Sequence, residues 1–186
     1  MKRCIWLLGL VVLLAGCSRE NRELSKAMEL REKILSAESC SFQGKVTADY
    51  GTEIYTFSMN CISDRQGNLR FEVTEPASIA GITGSISEEG GNITFDGEFL
   101  CFPLLTDDHL IPAAAPWILM RTLRSGYITA VCREDSQLRI TADDSFSEKS
   151  LMLDIWVDSQ QKPARCDILW EGRRILGIDL ENFVFS

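Results

Sequence analysis

Apolar and polar positions change their period along this chain. Ile5 to Leu14 is an unbroken apolar run apart from Gly9, preceded by Lys2 and Arg3. It is too short for a resident membrane span and has the form of an export leader. From Ser18 to Ala37 the period becomes helical: Leu24, Ala27, Met28, Arg31, Ile34 and Leu35 fall along one face, which predicts an amphipathic helix. Beyond Cys40 the period drops to two, and Tyr50-Gly51, Gln66-Gly67-Asn68, Gly90-Gly91, Asp96-Gly97, Ser159 to Pro163 and Glu171-Gly172 punctuate it as turns.

A one-residue slip in strand pairing turns every side chain to the opposite face, so matching apolar faces tests each hairpin. A two-residue loop at Tyr50-Gly51 sets Cys40, Phe42, Gly44 and Val46 opposite Cys61, Met59, Phe57 and Tyr55. A four-residue loop at Ser159 to Lys162 sets Leu151, Leu153, Ile155 and Val157 opposite Trp170, Ile168, Cys166 and Ala164. A three-residue loop at Glu171 to Arg173 adds a further strand, with Leu176 and Ile178 opposite Ile168 and Cys166. Further strands are expected at Leu69 to Val73, Ile79 to Ile86, Ile93 to Phe102, Tyr127 to Cys132 and Leu138 to Ala142. Between them, Pro112, Pro116 and the run Trp117-Ile118-Leu119-Met120 predict a short apolar helix that Ser125-Gly126 ends.

The pattern is therefore mainly β with helices: about nine antiparallel strands, one sheet face needing an apolar cover, and two helices to supply it. The chain has 186 residues, 45% of them hydrophobic and 25% charged, which fits one globular domain over residues 18–186. The formal charge is −8, from 19 Lys and Arg against 27 Asp and Glu, which leaves no electrostatic basis for holding a phosphate backbone. Nucleic acid is excluded as a partner class.

The leader ends in Leu14-Ala15-Gly16-Cys17, which resembles the bacterial lipobox, where the cysteine receives a thioether-linked diacylglycerol before cleavage. The division expected is a signal peptide over 1–16, a lipid anchor and helix over 17–37, and a sheet domain over 38–186. Two acyl chains on Cys17 would hold the protein stably on the extracytoplasmic face of a membrane.

Candidate chemistry is sparse. His109 is the one histidine of the chain, and the five cysteines after Cys17 contain no C-x-x-C pair, so no metal site is expected. No G-x-S-x-G motif and no phosphate loop is present. Asp107-Asp108-His109 reads as a solvated loop capping the helix that follows, and no catalytic residue or cofactor is assigned. Cys40 and Cys61, opposite each other in the first hairpin, have two readings: a disulfide, or two small packed thiols. Cys101, Cys132 and Cys166 lie in apolar strand runs and read as packed thiols.

The order of elements, with Ser41-Phe42-Gln43-Gly44-Lys45-Val46, Leu69 to Pro76, Ile93-Thr94-Phe95-Asp96-Gly97, Ile155-Trp156-Val157-Asp158 and Ile178 to Phe183, resembles the lipoprotein carrier superfamily of LolA and LolB, to which LppX and GerS are related. The resemblance implies a curved, incomplete antiparallel barrel with helices over its inner side and a cavity for acyl chains. It implies two alternatives for function: binding an acyl-chain-bearing or other apolar ligand, or, as for GerS, engaging a cell-envelope hydrolase. Trp117 and Met120 on the central helix, with Phe42 and Phe57 on the first hairpin, are the residues it places along a ligand, although the same apolar helix reads equally as a plug in a dry core. An anchor at Cys17 departs from the soluble carrier, as does the number of cysteines.

Overall fold

The computed structural model describes residues 22–103, 105–106, 109–145 and 150–186. The leader and Cys17 lie outside the described residues. Residues 22–36 form helix α1. Strands β1 (Ser39–Asp49), β2 (Ile54–Asp64), β3 (Leu69–Glu75), β4 (Thr83–Ser87), β5 (Gly90–Phe95) and β6 (Glu98–Phe102) then form one antiparallel meander. A small ladder of β7 (Leu105–Thr106) with β8 (His109–Leu110), a 3-10 turn at Pro112–Ala114 and helix α2 (Ala115–Ser125) connect it to a second meander. That meander comprises β9 (Tyr127–Glu134), β10 (Gln137–Asp143), β11 (Met152–Val157), β12 (Pro163–Trp170) and β13 (Arg173–Phe185). The two meanders join where β1 pairs with β13, giving an open eleven-stranded sheet with β6 and β9 as its edges.

Eleven strands in the main sheet exceed the nine expected. Asp96, in the left-handed region at φ 49°, and Gly97 at φ 83° turn the run from Ile93 to Phe102 into two strands rather than one. The expected strand from Ile79 begins only at Thr83, because Ile79 and Ala80 donate to the Pro76 carbonyl and close a turn. The predicted strands at residues 69, 127 and 138 onward are present.

The register of the first hairpin corrects the expectation by two residues. Phe42, Gly44 and Val46 stand opposite Cys61, Met59 and Phe57, and the loop is Tyr50 to Glu53. A slip of two keeps every side chain on its own face, so apolar alternation cannot detect it. What sets the loop is polar: Asp49 Oδ1 accepts from the Gly51 N–H at 2.8 Å, and the Tyr50 N–H donates to the Glu53 carbonyl. Cys40 consequently pairs with Ser63, and Cys61 with Phe42. Both thiols are free, buried diagonal neighbours, a relation that sets Cα atoms about 7–8 Å apart and outside disulfide reach.

In the second meander Leu153 and Ile155 face Ile168 and Cys166 as expected, while a bulge sets Val157 opposite Pro163 instead of Ala164. Ile168 and Cys166 face Leu176 and Ile178 as expected. The last turn has two loop residues rather than three, Glu171 at φ 48° and Gly172 at φ 77°, followed by a bulge at Leu169. Paired positive φ values of this kind match the right-handed twist of the strands they join.

One face of the sheet carries the core, to which Leu69, Ile86, Ile140, Leu153, Ile155, Ile168 and Leu176 each contribute a fully buried side chain. The other is polar. Arg139, Trp156, Arg165, Asp179, Lys45, Ser58 and Glu75 are successive cross-strand partners there, from β10 across to β3. Both helices lie on the core face. α1 buries Glu23, Ala27, Leu30 and Ile34, with Ala37 just beyond it, whereas Leu24, Met28 and Leu35 of the expected face are exposed. The rotation follows from two polar anchors: Glu23 pairs with Arg133 of β9, and Arg31 donates to the Leu123 and Gly126 carbonyls at 2.8 and 2.6 Å. Arg31 thereby satisfies the C-terminal carbonyls of α2, where a positive charge is favoured. The N-cap positions of the 3-10 turn and of α2 are Ile111 and Ala114, neither with a side-chain cap, while Asp107 and Asp108 of the expected capping loop lie outside the described residues. No helix among the described residues is long and apolar enough to cross a membrane.

Candidate functional site

The helices do not cover the whole inner face. Over the half built by β2 to β6 lies a cavity of about 620 Å³. Period-two alternation supplies its floor: Tyr55 and Phe57 from β2, Phe71 and Val73 from β3, Ile93 from β5, Leu100 and Phe102 from β6. Pro76, Ser78, Ile79 and Ile82 in the β3–β4 connection form one side, and Ile111, Pro112 and Ala113 before α2 form the other. None of the lining residues is charged, and the polar ones are Tyr55, Thr56 and Ser78. The site can therefore take apolar surface out of water, at about 25 cal/mol for each Å² buried, but offers nothing to hold an ionised group.

The rim is fastened by tyrosines. Tyr50 donates its hydroxyl to the Leu110 carbonyl at 3.0 Å, tying the first hairpin to the segment that carries Ile111 to Ala113. Its ring meets Tyr55 edge-on at 6.1 Å, and the Tyr55 hydroxyl donates to the Glu53 carboxylate. Burial raises the Tyr50 phenol above its ordinary pKa, so it remains a donor at neutral pH.

Of the four residues expected to line a ligand, Phe57 is in the cavity wall. The other three are packed in the core: Trp117 is 3% exposed, Met120 0% and Phe42 3%. The Trp117 indole donates to the Gly67 carbonyl at 3.0 Å, and Arg121 lies over its ring. Phe42 stacks on Phe183 at 5.3 Å. α2 is covered on nearly its whole circumference, as a helix apolar all round must be.

Most of the wall was not singled out from sequence: Phe71, Ile79, Ile82, Ile93, Leu100, Phe102 and Ile111. A signal was available in Gly84 and Gly91, since an isolated glycine in a strand marks close approach of another group. Elsewhere the chemistry is structural. Asp143 accepts from Ser145 and Ser150, and Asp144 from Leu151. Cys40, Cys61 and Cys166 are buried, and burial pushes all three thiols up, whereas Cys101 and Cys132 are exposed. Among the described residues no cluster of His, Cys, Asp and Glu could hold a metal ion.

No family model and no curated protein matches the chain. Among solved structures it is similar to a LolA superfamily protein from Nitrosomonas europaea, at 11% identity and a TM-score of 0.46, covering 86% of this chain and 93% of that one. It is similar to the Mycobacterium tuberculosis lipoprotein LppX, at 9% identity, TM-score 0.43 and coverage of 87% and 93%. A chain in the Clostridioides difficile complex of the CwlD amidase with the GerS lipoprotein is similar at 12% identity, TM-score 0.45 and coverage of 86% and 93%. These are likenesses of fold.

Proposed function

We propose that this protein is an extracytoplasmic lipoprotein, anchored through Cys17, that holds an apolar ligand against the inner face of its sheet. The observation that carries the reading is the cavity: some fifteen lining residues without a charge among them, beside a helix-filled core. A folded chain gains nothing from leaving Tyr55 49% and Leu100 60% exposed at the wall of an open apolar volume unless something occupies it. The leader and Leu14-Ala15-Gly16-Cys17 supply the location, where acyl chains are abundant. Catalysis has no part in this reading.

A second reading has its own observation. Strand β6 is a sheet edge with Phe99 64% and Leu100 60% exposed, and an uncovered apolar edge is a pairing surface for another protein. One experiment separates the two. The protein is purified from membranes, extracted with organic solvent, and the extract examined by mass spectrometry beside that of an Ile79→Glu variant, which puts a carboxylate into the cavity side. Lipid recovered from the parent and lost from a folded variant supports the ligand reading. A parent free of lipid that co-purifies with an envelope hydrolase supports the second.

A further inference from the structure

Two strand glycines lie under the floor of the cavity. Gly84 of β4 is the cross-strand partner of Phe71, and Gly91 of β5 that of Phe102. A Cβ at Gly84 would stand 2.6 Å from Phe71 Cζ and 2.4 Å from the Asn92 carbonyl oxygen. At Gly91 it would stand 2.4 Å from both Cε2 and Cζ of Phe102. Neither glycine has a positive φ, so space and not backbone conformation requires glycine here. Each ring lies across its glycine, and both rings are cavity wall.

We infer that Gly84 and Gly91, by leaving room for the Phe71 and Phe102 rings, gauge the depth of the cavity and so how much hydrocarbon it accepts. This rests on the apolar-ligand reading above and goes beyond it in naming specificity-determining residues. A methyl group under either ring lifts the ring into the cavity. Removing ring atoms at position 102 deepens it. The two changes therefore move the preferred chain length in opposite directions, which general destabilisation does not do.

The test uses the full-length protein, extracted in a bile-salt detergent that carries no acyl chain and immobilised. It is offered an equimolar mixture of saturated fatty acids of increasing length. Bound acids are eluted with organic solvent and compared with the input by mass spectrometry, and folding is checked by circular dichroism. Gly91→Ala is expected to shift the profile to shorter acids, with about a fourfold loss for each methylene no longer accommodated, equivalent to about 0.8 kcal/mol. Phe102→Leu is expected to shift it to longer ones. Gly91 meets only a side chain, so its variant can relax where Gly84→Ala would strike the Asn92 backbone. Phe102→Leu decides the matter alone if Gly91→Ala does not fold. Folded variants that keep the parent profile, or that shift it in the same direction, overturn the gauge and leave the apolar-ligand reading standing. A parent that takes up no acid overturns the gauge, while the extraction experiment above decides the apolar-ligand reading by itself.

Discussion

At the scale of single residues, the five described cysteines divide by environment. Cys40, Cys61 and Cys166 are buried, and burial raises their thiol pKa values, which removes the thiolate that reagents attack. Cys101 and Cys132 stand exposed on β6 and β9, one at each edge of the sheet. A water-soluble thiol reagent applied to the native, reduced protein is therefore expected to modify these two quickly and the other three only when denaturant is added. Peptide mapping of the modified chain reads this directly, and fast labelling of Cys61 would contradict its placement under Phe42. Alternation could place residues on faces but was blind to a two-residue slip, so it brought Cys40 and Cys61 together. The information that set the register lay in Asp49, whose carboxylate fixes the loop.

At the scale of elements, α2 shows what apolar periodicity can and cannot convey. Pro112, Pro116 and Gly126 delimit the turn and helix where the sequence puts them. A circumference that is apolar over most of its extent signals enclosure, yet it does not say whether protein or ligand encloses it. Here protein does: the sheet lies below, α1 reaches the C-terminal end through Arg31, and the β2–β3 turn receives Trp117 and Arg124. Met120→Glu is accordingly expected to cost several kcal/mol, because its carboxylate would be buried without a partner. Chemical denaturation of the purified variant, or its failure to accumulate as folded protein, reads the effect. A variant as stable as its parent would return Met120 to the cavity. The cavity itself was poorly legible, since alternation along β2 to β6 does not say how much of their inner face the helices leave uncovered, and the turn at Ile79 resembled more strand.

For the molecule as a whole, the proposed location depends on one thiol outside the described residues. Cys17→Ala removes the sole group a diacylglyceryl transferase could alkylate in the lipobox, so the variant is expected to remain a full-length precursor. Metabolic labelling with a clickable fatty acid should mark the parent and not the variant; label retained by the variant would place the anchor elsewhere. The joining of the two meanders has a further consequence for how such a protein is made. Val46 of β1 pairs with Ile178 of β13, so under the proposed export the first strand across the membrane finds its outer neighbour only among the last. Loop closure over that separation makes the central seam slow to form. Until it does, each half presents an unpaired strand of the future interior as an edge, open to other chains in transit. Under the proposed export, the interval between the first strand and the last therefore sets how long these edges stay open.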